Sequence, residues 1–276
     1  MNVRHILATL GLVCLLTVGL RADEPQLEFW PEVQLWLRMS QDWRLALFVP
    51  ITKDLETNYR EGQLVLQSDL AWGRQRPLRR RLLDENRALH MRPFLARGGF
   101  LIGRSLDDHG AAYRERTLFS EMHVRTPIKG GLLMQQRLRN DVRWLGDTAD
   151  VSTRWRYRIH AETEATKGRA SIVSYVNSEA YYDSRYDTVN RIRVVPGTSM
   201  SWSPRWAVET NLTYQYDRKS STRHLLALNV VLHVFFESRR ARAAAPAAPD
   251  ARMGAADGDL LAPGWPSSGT VSRVPK

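Results

Sequence analysis

Across residues 28–236 apolar and polar side chains alternate with period two, and runs with apolar residues three and four apart are scarce. The contrast is sharpest over 151–163. Val151, Thr153, Trp155, Tyr157, Ile159, Ala161 and Thr163 share one face, and Ser152, Arg154, Arg156, Arg158, His160 and Glu162 share the other. Successive side chains of a strand point to opposite faces, so this segment is a ribbon with one apolar and one strongly charged surface. The preceding segment repeats the design, with Leu132, Met134, Leu138, Val142 and Trp144 set against Gln135, Arg137, Arg139, Asp141 and Arg143; Gln136 and Asn140 are exceptions on its apolar side. Trp206, Val208, Thr210, Leu212, Tyr214 and Tyr216 likewise oppose Ala207, Glu209, Asn211, Thr213 and Gln215.

Further strands are predicted over 32–38, 43–49, 63–72, 88–94, 99–104, 114–125, 170–181, 189–201 and 224–236, about twelve in all, with 10 to 12 as the range. Pro93, Gly98 and Gly99 blur the pattern before Arg114. Counted backward from Phe236, short links at 126–130, 164–168 and 203–204 alternate with longer ones at 105–112, 146–150, 182–187 and 217–222. Outer-membrane barrels have short periplasmic turns, longer external loops and, in bacterial single chains, an even strand number. An even count places both chain ends on the periplasmic side, although the 51–60 link is then too long for its side. The expected fold is therefore all-β, an antiparallel transmembrane β-barrel.

A soluble β-sandwich or lipocalin alternates too, and alternation alone does not distinguish inside from outside. The placement of aromatics favours apolar-out. Trp144, Trp155, Trp202, Trp206, Tyr214 and Tyr216 lie on apolar faces, several near strand ends, where amphipathic rings suit the headgroup level. The opposite faces then line a polar lumen. Asp141, Glu162, Glu179 and Glu209 are available there to pair with Arg137, Arg139, Arg143, Arg154, Arg156, Arg158, Arg191 and Arg193, with His160 in the same ladder.

The two ends of the chain differ from the middle. Arg4 followed by an apolar stretch over 6–20 fits a secretory signal, with Ala22 as the last residue removed and 1–22 as the signal peptide. About 15 apolar residues fall short of the ~20 that a spanning helix needs. The one cysteine, Cys14, lies inside this stretch behind Val13, which is not the small residue of a lipoprotein site. The mature chain then has no cysteine and no disulfide. Beyond the barrel at 23–236, residues 237–276 turn to Ala, Pro, Gly and Ser, a composition expected to form a disordered periplasmic tail. The formal charge of +11 and pI near 10.2 suit polyanionic surroundings. With export predicted, these are lipid headgroups and lipopolysaccharide, and nucleic acid is not expected.

Gln135-Gln136-Arg137-Leu138-Arg139, then Arg154-Trp155-Arg156-Tyr157-Arg158, Asn177-Ser178-Glu179 and Asn190-Arg191-Ile192-Arg193 resemble the Arg-rich strands of the bacterial family catalogued as domain of unknown function 2490 (DUF2490). The resemblance is best from Arg114 onward. It implies an outer-membrane barrel without an assigned activity. By the same resemblance, Phe236 would be the strand-end aromatic that the assembly machinery reads, although a tail follows it.

The charged ladder has two readings. Rings of Arg can select anions in a pore, or the long paired side chains can fill the lumen, because an isolated buried charge is costly. Arg74, Arg76, Arg79, Arg80 and Arg81 fall in a predicted external loop and are candidates for lipopolysaccharide phosphates. An outer-membrane lipid hydrolase is the runner-up function, with His224 beside Ser220 or Ser221, or His123 beside Ser120, but no nucleophile, base and orienter can be named together. The third reading is a soluble periplasmic barrel that binds a lipid or acidic ligand. The histidines lack metal-ligand spacing, Asp107-Asp108-His109 reads as a solvated loop, and no cofactor is expected. The sequence thus points to a non-enzymatic envelope barrel, structural or a small passive pore.

Overall fold

The computed structural model describes residues 25–57, 59–74, 92–106, 114–128, 131–146, 151–167, 170–219, 223–239 and 241, all within the first of two compact units, Met1–Ala244. The predicted signal peptide and nearly all of the predicted tail lie outside the described residues. Eleven strands form a closed barrel: β1 (Gln26–Arg38), β2 (Trp43–Asp54), β3 (Arg60–Trp72), β4 (Phe94–Ser105), β5 (Arg114–Ile128), β6 (Leu132–Leu145), β7 (Val151–Lys167), β8 (Ala170–Asp183), β9 (Thr188–Ser203), β10 (Trp206–Asp217) and β11 (His224–Glu237).

Each strand pairs antiparallel with its sequence neighbour, and the ring is closed by a parallel seam between β1 and β11, from Gln26↔Leu225 to Arg38↔Glu237. The odd number corrects the even count expected from the sequence. The strand read over 88–94 falls largely outside the described residues, and the one read over 99–104 is part of β4, which pairs directly with β3 and in which Gly98 and Gly99 are ordinary ladder positions. Gly99 faces inward because the ring of Phe119 lies across it. A Cβ there would stand 2.4 Å from that ring and 2.5 Å from the Leu66 carbonyl oxygen. Gly197 is crossed in the same way by Tyr175, at 2.4 Å. What reads in sequence as a strand break is room for an interior aromatic.

Losing one strand shifts the parity of everything before β4. One rim, the turn rim, carries the short links 39–42, 129–131, 168–169 and 204–205; the other, the loop rim, carries 55–59, 106–113, 146–150, 184–187 and 218–223. The link 55–59 now sits among the longer links, which removes that anomaly, and the long link 73–93 falls on the turn rim. Its two described ends meet at that rim, apart from the longer links with which the sequence reading grouped it: Arg92 is held there by Asp42 of the β1–β2 turn at 2.8 Å and by the Gly73 carbonyl at 2.7 Å, and residues 75–91 lie outside the described residues. The two ends of the described barrel also lie at opposite rims, Gln26 at the loop rim and Glu237 at the turn rim, because β1 and β11 run parallel. After β11 the chain folds back onto the turn rim, where the Ser238 backbone N–H donates to the Arg38 carbonyl.

The alternation is regular enough to assign both surfaces. In β5, Glu115, Thr117, Phe119, Glu121, His123 and Arg125 are buried, while Leu118, Met122, Val124 and Ile128 are exposed. β1 turns Glu28, Trp30, Glu32, Gln34, Trp36 and Arg38 inward and Leu27, Val33 and Leu37 outward. The barrel is therefore inverted relative to a soluble one, with ionic side chains inside and leucines, valines and tryptophans outside.

Candidate functional site: the charged lumen and its cavity

All the arginines and carboxylates singled out in the ladder project into the lumen from β6, β7, β8, β9 and β10, and the structure joins them to partners the sequence did not link. A continuous ion-pair network starts at Arg44 of β2, whose guanidinium meets Asp69 of β3 at 2.6 Å. Asp69 also accepts both arms of Arg97 from β4, at 2.8 and 2.9 Å. Arg97 continues to Glu121 of β5 at 3.3 Å, and Glu121 takes Arg139 at 2.9 Å and Arg137 at 3.4 Å from β6. Arg137 reaches past β7 to Glu179 of β8, which also holds Arg156 at 2.8 Å. Asp141 binds Arg139 and, at 2.8 Å, Arg154. A branch at the loop rim pairs Arg143 with Glu115 at 2.9 Å and with Asp183 at 3.3 Å. Charge-assisted, often two-armed contacts of this kind suit guanidinium and carboxylate geometry.

Other expected partners separate. Glu162 is bound by His160 at 2.9 Å rather than by an arginine, and Glu209 accepts from Tyr175, Asn211 and His233. Arg191 pairs with Asp217. Among the described residues Arg193 has no carboxylate within ion-pair distance: it donates to the Gln215 amide oxygen at 2.9 and 2.6 Å and lies between the rings of Trp30, 5.2 Å, and Tyr181, 5.3 Å. Arg158 has a buried Nε without an acceptor. Asp69, Arg97, Glu115, Asp183 and Asp217 were missed by the sequence reading. Their parity within each strand was available, but not which residues of β3, β4 and β8 would meet across a lumen.

The remaining sequence candidates are placed as follows. Trp155, Trp202 and Trp206 are exposed on the outer wall, and Trp144, Tyr214 and Tyr216 are half-buried on the same face. Phe236 is half-exposed outward at the turn rim. Arg74 is exposed at that rim; Arg76, Arg79, Arg80 and Arg81 lie outside the described residues. His123 is buried between Glu121, 2.8 Å, and Gln135, 2.7 Å, whereas Ser120 faces outward, so these two do not meet. His224 bonds to the Tyr214 hydroxyl at 2.8 Å, and Ser220 and Ser221 are outside the described residues. Among the described residues no group of His, Cys, Asp and Glu has the arrangement of a metal site.

The lumen is filled unevenly. Near the turn rim, Trp36, Ala46, Ala207, Phe235 and Phe48 form an apolar floor, with the Trp36 and Phe48 rings 5.1 Å apart and Arg44 stacked over Trp36 at 4.6 Å. At mid-height His123, Glu121, Asp141 and Thr213 are almost wholly buried. Toward the loop rim the interior opens into a cavity of about 580 Å³, lined by Glu28, Trp30 and Glu32 of β1 and Glu61 of β3 and by Arg139, Arg154, Arg156 and Arg193 of β6, β7 and β9, with Glu115 and Asp217 also in its lining. A smaller one of about 230 Å³ continues toward Asp183, Arg185 and Asp217. The hydrogen bond from Arg185 to Asp183, outside the lumen proper, holds that guanidinium above its ordinary pKa. Pro50, Ile51 and Thr52 of β2 belong to the larger cavity's lining. The β1–β2 ladder runs from Phe29↔Lys53 to Glu32↔Pro50 with a gap between, at a place where Pro31 and Pro50 supply no N–H.

Against known proteins, the family described as "Protein of unknown function (DUF2490)" matches residues 94–225, from the first residue of β4 to the second of β11. No curated protein and no solved structure matches the chain.

Proposed function

We propose that this chain, whose residues 94–225 match the DUF2490 family, is an exported outer-membrane β-barrel with a filled, non-conducting lumen, acting as a structural element of the envelope. The observation that carries the reading is the inverted polarity. Asp69, Glu121, Asp141 and Arg125 are buried inside, while Leu64, Leu66, Leu118, Leu138 and Leu228 are exposed outside. Water would penalise such an outer wall, whereas lipid accepts it, and a closed barrel leaves no backbone polar group unpaired in hydrocarbon.

Two outward aromatic belts support the same reading. Trp43, Trp72, Phe94, Trp202, Trp206 and Phe236 ring the turn rim, and Trp144, Trp155, Tyr214 and Tyr216 gather near the loop rim. Trp206 and Tyr216 bracket ~10 residues of one strand, which at ~3.4 Å per residue and a ~40° tilt gives a band ~25 Å tall, the height of an outer-membrane apolar belt.

In this reading the turn rim faces the periplasm, which its links at 39–42, 129–131, 168–169 and 204–205 and the end of β11 support, and Phe236 lies where the assembly machinery would read it. The loop rim then faces outward. There Lys53, Arg60, Arg104, Arg114 and Arg116 are exposed on the outer wall of β2 to β5, with Lys53 opposite Arg60 and Arg104 opposite Arg114. This strand-borne patch, rather than the 74–81 segment, is the better candidate for lipopolysaccharide phosphates.

Cell fractionation and planar bilayers test the reading together. The protein is expected in the outer-membrane fraction and to give no conductance steps. Recovery from the soluble periplasm would end the membrane reading, and steady unit conductance would end the filled-lumen one.

A further inference from the structure

We infer that the cavity near the loop rim binds a small zwitterion, its ammonium against Glu28, Glu32 and Glu61 and its anionic group against the arginine wall around Arg193. The inference concerns the lumen, goes beyond the membrane reading and does not rest on it.

Along the network from Arg44 to Glu179 the interior charges neutralise one another by direct contact, as at Asp69, Glu121, Asp141 and Glu179. Around the cavity they do not. Glu28 accepts only from the Gln26 amide, at 3.0 Å, and the Trp30 indole. Glu32 accepts from the Gln34 amide and Glu61 from the Gln63 amide, each at 2.6 Å. Among the described residues none of these three has a lysine or arginine within ion-pair distance. Opposite them, Arg193 has only a neutral acceptor. Trp30 keeps the walls apart, its indole donating to Glu28 while its ring stacks under Arg193.

Opposite charges facing each other across about 580 Å³ without touching form a site for a molecule that carries both. That volume is within the usual range for a small-ligand pocket. A lone anion would meet the carboxylates, and a lone cation the arginines; a ligand with an ammonium and a phosphate or carboxylate satisfies both walls.

Phosphoethanolamine is the probe, offered to the full-length protein in a non-ionic glucoside detergent, since detergents with zwitterionic heads would compete. Titration calorimetry and tryptophan fluorescence should show saturable binding at least tenfold tighter than that of either half, inorganic phosphate or ethanolamine. Glu28→Gln combined with Glu61→Gln should weaken phosphoethanolamine about tenfold and leave inorganic phosphate unchanged, and Arg193→Gln should weaken both. Trp30→Phe should remove most of the fluorescence response. Phosphate binding as tightly as phosphoethanolamine would overturn the proposal in favour of an anion site, ethanolamine doing so in favour of a cation site, and no saturable binding of any probe would end it. These ligand comparisons on the unmodified protein decide the matter even where a variant fails to fold. A short-chain phosphatidylethanolamine separates two sources of the same headgroup: tighter binding than phosphoethanolamine assigns a lipid, equal binding a free solute.

Discussion

The two sides of the lumen are filled by different chemistry. From β3 to β8 the interior is largely ionic, with Asp69, Asp141 and Glu179 each shared by two or more guanidiniums, and Glu121 by Arg97, Arg137, Arg139 and His123. From β9 through β11 to β2 small and aromatic side chains enter, Ala207 and Phe235 against Trp36 and Ala46, with Ala227 and Val231 also buried and amides such as Asn211 and Gln215 standing beside the charged Arg193, Glu209, Glu28 and Glu32. Ion pairs tolerate a lumen whose walls stand far apart, because arginine spans the gap and keeps its hydrogen bonds. Apolar contact needs the walls close, and it falls off once rings no longer touch. The ionic side therefore fixes which strands lie opposite each other, and the apolar side closes the end.

This contrast can be broken from either side. The largest effect is expected for Glu121→Ala, which takes from Arg97, Arg137 and Arg139 the carboxylate they share, leaving each with one other, and takes from His123 its acidic partner. A loss of about 3–5 kcal/mol follows, read from urea unfolding in detergent or lipid; a change below ~1 kcal/mol would mean that water reaches the network and the ionic side is not a dry core. Overfilling the floor with Ala207→Leu should cost about 1–3 kcal/mol, since Ala207 is wholly buried against Trp36 and Phe235. If unfolding is unmoved, the floor is not packed. The smallest effect is expected at the loop rim, where Arg185→Ala removes a partly exposed pair with Asp183 and should change stability by no more than ~1 kcal/mol. A larger loss there would show that Asp183 depends on Arg185 as well as on Arg143.

Much of this arrangement was written into local pattern. The opposition of Arg154, Arg156 and Arg158 to Trp155, Tyr157 and Ile159 follows from the pleat alone, and so does the Ala207-to-Gln215 face of β10. Where the pattern failed, at Gly98 and Gly99, the missing information was non-local: a glycine that breaks a strand and a glycine that accommodates Phe119 look identical until β5 is laid beside β4. That single misreading also changed the strand number, the side on which 73–93 emerges and the rim at which β1 begins. The cavity carboxylates Glu28, Glu32 and Glu61 were overlooked for a related reason. Each belongs to an ordinary alternating strand, and being unpaired is a property of what stands across the lumen.

The sequence by itself determined the β class, the long strands and the two faces of each, because side-chain direction in a strand depends only on residue parity. It also located the Arg-rich segments and the family they resemble. The aromatics already favoured a charged interior; only the tertiary structure decided that eleven strands close through a parallel seam and which arginine meets which carboxylate. Those outcomes depend on ring closure and register, which bring together residues such as Arg137 and Glu179, 42 positions apart, that no local period relates.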